Sequence, residues 1–162
     1  MPAPKESSGL ETRRKSGIEL VRREGLAPLP GAAEWVERLH DQGWLQAIAS
    51  SAPRLNVEAV LDALRFRPWI QATVSAEDVH AGKPDPQVFL VAASRLGAAP
   101  RGCIVVEDAR AGIEAARRAE MRSIGVGKNA QALGADLSAA RLSDLPSDAF
   151  SSMLPGRAPE TC

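Results

Sequence analysis

Two neighbouring carboxylates, Glu107 and Asp108, stand where an apolar run ends and a helical pattern begins. Before them, Cys103, Ile104, Val105 and Val106 read as a buried strand. After them, Ala111 to Glu120 reads as a helix with Ile113, Ala116 and Ala119 on one face. Charge at such a junction is costly unless something pairs with it. A carboxylate pair there suits a hard cation such as Mg²⁺, which takes one or two carboxylates and fills its shell with water and substrate phosphate. The plainer alternative makes Asp108 a helix cap and Glu107 a surface residue. Ser50 and Ser51 precede a second helical pattern near Pro53. Hydroxyls and unpaired N–H groups at a helix start bind phosphate, although one serine can equally serve only to cap the helix. Lys83 sits between Gly82 and Pro84, which restrict the backbone and can aim the ammonium at a phosphate oxygen. Taken alone, Gly-Lys-Pro is also simply a turn.

Positioning these groups requires a scaffold, and the chain alternates strand and helix patterns that can supply one. A helix over Ala32–Gln42, with Trp35, Val36 and Leu39 inward, ends at Gly43. "WLQAIAS" (44–50) is a strand and "PRLNVEAVLDAL" (53–64) a helix. "IQATVS" (70–75) is a strand, and a long loop through Lys83 leads to a helix over 87–97 with Val88, Val91, Ala92 and Leu96 inward. The strand ending at Glu107 and its helix come next, then the strand "RSIGVG" (122–127), a weaker unit over Ala135–Leu145 and a short helix near Asp148–Leu154. This alternation predicts an α/β fold: a parallel sheet with right-handed crossovers and helices on both faces. Ligands of such sheets bind beyond the carboxyl ends of the strands. Ser50, Ser51, Glu107 and Asp108 should therefore face one crevice, with the Lys83 loop reaching it. A hydroxyl donor, a fixed ammonium and a metal-binding carboxylate pair on one edge make a phosphoryl-transfer constellation.

Bulk properties narrow the class further. At 162 residues the chain fits one domain, and 44% hydrophobic with 25% charged residues is ordinary for a globular protein. Zero net charge argues for neither nucleic acid nor a membrane surface as partner. Arg13-Arg14-Lys15, Arg22-Arg23 and Arg117-Arg118 lie beside acids on helical patterns and read as solvated faces. With no apolar signal core and only Cys103 and Cys162, the expectation is a cytoplasmic protein without a disulfide framework. The expected organisation is a disordered stretch over 1–9, a helix and linker over 10–30, a core over 31–154 and a loose tail over 155–162. His80 reads as a loop histidine, His40 as a helix-end residue, and Trp35, Trp44 and Trp69 as packing residues. Cys103 reads as an inert strand residue and "GVGKN" (125–129) as a strand exit.

"IASSAP" (48–53), "VSAEDVHAGKPDPQVF" (74–89) and "VVEDARAGIEAARRAEM" (105–121) occur in order at suitable separations. They resemble the second, third and fourth motifs of the haloacid dehalogenase superfamily, most closely its β-phosphoglucomutase-like phosphatases and mutases. The resemblance implies a Rossmann-like core in which Ser50, helped by the Ser51 backbone, binds the transferring phosphoryl group. Lys83 would steady the phosphate and the nucleophile, and Glu107 and Asp108 would hold Mg²⁺. The family's first motif, an Asp-x-Asp pair whose first aspartate is the nucleophile, has no counterpart in the sequence. Asp41, Asp62, Asp78 and Asp85 fall on helices or loops and do not replace it.

The expected sheet thus lacks the usual first central strand, which would lie between the strands ending at Ser50 and Glu107. Those strands could pair directly, borrow a strand from a partner, or belong to a piece of a longer enzyme, and their open inner edges invite self-association. The functional expectation is a Mg²⁺-dependent phosphohydrolase or phosphomutase domain for a small phosphorylated metabolite, of the sugar phosphate kind. As this chain alone it would be inactive. The alternative is a non-catalytic remnant that binds phosphate or Mg²⁺ or assists assembly.

Overall fold

Trp35 and Leu39, four residues apart, are both buried, which places one face of the first helix against the core. In the computed structural model, which describes residues 25–154, that helix is α1 (Ala32–Asp41). It is followed by β1 (Ala47–Ala49), α2 (Arg54–Leu64), β2 (Ala72–Val74), α3 (Gln87–Arg95), β3 (Ile104–Glu107), α4 (Arg110–Arg118), β4 (Arg122–Val126), β5 (Leu137–Ala139) and α5 (Ala149–Met153). The disordered start expected over 1–9, the part of the expected helix and linker before residue 25 and the loose tail over 155–162 lie outside the described residues.

All the strand pairs are parallel, as expected, but among the described residues they form two sheets instead of one. In the first, Ala47 lies opposite Ala72 and Ala49 opposite Val74. In the second, ordered β3-β4-β5, Ile104 lies opposite Arg122, Glu107 opposite Gly125 and Ile124 opposite Leu137. Direct pairing of β1 with β3 is therefore not how the described residues close the sheet. Within each sheet, α2 joins β1 to β2 and α4 joins β3 to β4 as single crossovers, which is how parallel neighbours form. The two sheets nevertheless share a core. Ala47 and Ala49 from the first and Val105 from the second pack with Val74, Val88, Phe89, Ala92, Ala115 and Ala116.

On α4, Ile113, Ala116 and Ala119 are buried as the spacing predicts. On α3 the buried set is Val88, Phe89, Ala92 and Ala93, whereas Val91 and Leu96 are half-buried. The helix is rotated to bring Phe89 inward. Within β3 only Val105 is buried. Val106, on the opposite face, is 40% exposed, and half-buried Cys103 precedes the strand with its thiol donating to the Ala99 carbonyl. The expectation of a strand buried throughout therefore fails at Val106, because the cluster that receives Ile104 on that face stops short of it.

The tryptophans pack as expected. Trp35 donates from Nε1 to the Leu142 carbonyl at 2.9 Å, with its ring 5.0 Å from that of Phe150. Trp44 packs edge-on to Phe150, and Trp69 against Phe66. Gly31, at the start of α1, has φ 86°, and a Cβ there would meet the backbone of Leu142 and Ser143. No helix among the described residues is long and apolar enough to cross a membrane.

Candidate functional site

The carboxyl end of β3 carries Glu107, whose side chain is 12% exposed and turned back over the first turn of α4. Its Oε2 lies 2.7 Å from Nζ of Lys83, whose side chain is 17% exposed. The ammonium also sits 4.9 Å from the centroid of the Phe89 ring, adding a cation–π contact. The loop after β2 and the end of β3 therefore meet, as the sheet-edge argument required. The Lys83–Pro84 peptide is cis.

Asp108 differs from its neighbour. It is exposed, its backbone N–H is 3.4 Å from Glu107 Oε1, and its carboxylate makes no hydrogen bond or ion pair among the described residues. The N-cap of α4 is Ala109, without a side-chain capping bond. Neither plain alternative therefore holds: Asp108 does not cap the helix, and Glu107 is not a surface residue.

Ser50 ends the first sheet, its N–H donating to the Val74 carbonyl at 2.9 Å. Its Oγ accepts from the Ala52 N–H at 3.1 Å, a local turn bond and not a cap, because α2 begins with Pro53 as N-cap. Ser51 is exposed, and its N–H has no acceptor among the described residues. Neither serine bonds to Lys83, Glu107 or Asp108. The structure thus joins Lys83 to Glu107 directly, with Asp108 next in the chain, and leaves Ser50–Ser51 at a strand end of its own.

A second polar cluster holds the loop that carries Lys83, and it went unread in the sequence. Asp78 accepts from the N–H and the hydroxyl of Ser75, both at 2.8 Å, from Arg54 at 2.8 Å and from Arg95 at 2.6 Å. The Arg95 bond, then those from Ser75 and Arg54, hold its carboxyl far below the usual range. Glu77 accepts the Arg54 N–H at 2.9 Å, and that bond chiefly lowers its carboxyl. The first amide of α2 is therefore already taken by a carboxylate, and Ser51 offers the nearby free donor. Asp62 pairs with Arg67, and Asp85 accepts from the Gln87 N–H, so both are structural. His80 and His40 are exposed, as expected. Surface grooves of about 410 and 390 Å³ among the described residues do not include Ser50, Lys83, Glu107 or Asp108.

Mg²⁺ is content with one or two carboxylates when water and phosphate supply its other ligands. No group of three or more His, Cys, Asp or Glu side chains gathers among the described residues. The unpaired, solvent-facing Asp108 carboxylate with Glu107 beside it fits that partial shell, Asp108 being the carboxylate free to turn.

An α/β core whose sheet edge pairs a lysine with adjacent acids defines a class, and comparison with known proteins places it. The model of the haloacid dehalogenase-like hydrolases matches residues 5–120, and the chain belongs to that family. Among curated relatives it is 38% identical over 117 residues to β-phosphoglucomutase of Bacillus subtilis, covering 72% of this chain and 51% of that protein. It is 41% identical over 96 residues to hexitol phosphatase B of Escherichia coli K12, covering 59% of this chain and 43% of that one. The chain thus spans about half the length of these relatives. The crystal structure of β-phosphoglucomutase from Clostridium difficile superposes with a TM-score of 0.81 at 24% identity, covering 92% of this chain and 68% of that one. That likeness establishes the fold.

Proposed function

We propose that this chain provides the phosphate- and Mg²⁺-binding half of a phosphoryl-transfer site acting on a small phosphorylated metabolite of the sugar phosphate kind. The observation that carries the reading is the Lys83–Glu107 contact beside the unpaired Asp108 carboxylate. Relatives named β-phosphoglucomutase and hexitol phosphatase support the substrate class. Asp108, with Glu107, would hold Mg²⁺, which when bound neutralises phosphate charge. Lys83 supplies a positive charge fixed in direction by Glu107 and Phe89. The Ser50 hydroxyl and the free Ser51 N–H donate to phosphoryl oxygens at the neighbouring strand end. The residues offer no Asp-x-Asp pair to act as nucleophile, so the reading is binding without turnover by these residues alone. Only two cysteines and zero net charge suit a cytoplasmic setting with neither nucleic acid nor membrane as partner, and the edges of β1 and β3, unpaired among the described residues, suit self-association.

The test pairs calorimetric titration of Mg²⁺ with hydrolysis of p-nitrophenyl phosphate, on the wild type and Asp108→Asn. Binding of Mg²⁺ that weakens in Asp108→Asn, with no hydrolysis, is the expected result. Equal Mg²⁺ affinity in the two proteins removes Asp108 as a ligand. Hydrolysis by the wild type overturns the claim that the nucleophile is missing.

A further inference from the structure

Gly112 is the third residue of α4, with nothing in its backbone that calls for glycine: its φ lies outside the left-handed region that the chain's turn glycines occupy. Glycine inside a helix is otherwise a destabilising choice, because it gives up more backbone freedom than alanine. The side chain of Glu107 supplies the reason for it. A Cβ built on Gly112 would fall on Cγ, Cδ and Oε2 of Glu107, inside the 3.0 Å that Cβ contacts essentially never breach. Two of those three atoms belong to the carboxylate, and Oε2 is the oxygen that holds Lys83. Gly112 is itself buried, so the carboxylate lies in a seat floored by helix backbone.

We infer that Gly112 is a positioning residue of this site: its missing side chain lets the Glu107 carboxylate fold against α4 and hold the Lys83 ammonium over Phe89. The chain of contact runs Gly112, Glu107, Lys83, Phe89. A methyl at the first position pushes the carboxylate out of its seat, leaving the ammonium with one neighbour fewer. The inference deepens the phosphate-binding reading and rests on it for its functional meaning, but the geometry of the seat can be tested without any ligand.

The test compares wild type, Gly112→Ala, Glu107→Asp and the double variant, using acetic anhydride as a probe of lysine exposure. Acetylation at Lys83 is read by mass spectrometry against exposed Lys128 of the same molecules. Gly112→Ala is expected to raise the Lys83-to-Lys128 ratio severalfold while the unfolding midpoint holds or rises, since alanine is the better helix former. In the double variant the shorter aspartate withdraws from the new methyl, so its ratio should fall below that of Gly112→Ala. An unchanged ratio in folded Gly112→Ala overturns the inference, as does a double variant more reactive than both single ones. Should Gly112→Ala fail to fold, recovery of folding in the double variant supports the seat, and failure of both overturns it.

Titration of the same four proteins with inorganic phosphate in the presence of Mg²⁺ separates the two claims. Reactivity that shifts as expected without phosphate binding by the wild type sinks the functional reading and leaves the seat standing. Phosphate binding by the wild type with unmoved Lys83 reactivity does the reverse.

Discussion

Removing the Lys83 ammonium leaves the Glu107 carboxylate in a seat only 12% open to solvent. Loss of one partner from a fully buried pair costs about 3–5 kcal/mol. Because the two side chains keep 17% and 12% exposure, water relieves part of that cost, and a value of roughly 2 kcal/mol is appropriate. The cation–π contact with Phe89, lost at the same time, adds about 0.5–1 kcal/mol. Lys83→Met should therefore destabilise by roughly 2–3 kcal/mol. Glu107→Gln should cost less, about 1 kcal/mol, because the amide oxygen still accepts from Lys83. In the double variant no buried charge is left without its partner, so its cost should fall short of the sum of the single costs by at least about 1 kcal/mol. Urea unfolding followed by circular dichroism measures all four proteins. With a slope of about 1–3 kcal/mol per molar urea, the Lys83→Met midpoint should move by roughly 1 M or more. Single costs that add to within about 0.5 kcal/mol would refute the pairing and the reasoning built on it.

Asp78 and Gly31 give two further expectations. The Asp78 carboxyl is held low by Arg95, Ser75 and Arg54, so the unfolded chain binds its proton first as acid is added. Its stabilisation is complete above the ordinary aspartate value near ~4 and is lost as pH falls below it; the acid limb of stability should flatten in Asp78→Asn, and identical slopes from pH ~5 to ~2 would contradict this. Gly31→Ala must adopt a φ of 86° and displace the backbone of Leu142 and Ser143; the left-handed backbone alone costs about 1–2 kcal/mol, and a melting temperature equal to that of the wild type would show that the contact does not constrain α1.

What the sequence made legible was periodic or local. Apolar spacing located α1, α4 and the strands, and the strand-end rule brought Lys83 to Glu107 across 24 positions. The rotation of α3 was hidden because Val91 and Leu96 are as apolar as Phe89, and only the ammonium above the ring distinguishes them. Asp78 was hidden for another reason: its partners Arg54 and Arg95 come from α2 and α3, and no spacing announces a contact between separate helices. Gly112 was quoted within the motif, yet its meaning depends on where a side chain five positions earlier turns. The division into two sheets could be posed in advance as a question, but not answered, because apolar spacing marks strands without saying which edges meet.

Adjacent residues of α1 serve different halves of the molecule. Trp35 packs with Ile124, Val126 and Phe150 behind the second sheet, whereas Val36 packs with Ile48, Val57 and Leu61 behind the first. The helix thus acts as a splint laid across the boundary between two sheets that share no backbone ladder among the described residues. Through that packing one helix ties the sheet that ends at Ser50 to the sheet whose strand leads to Asp108.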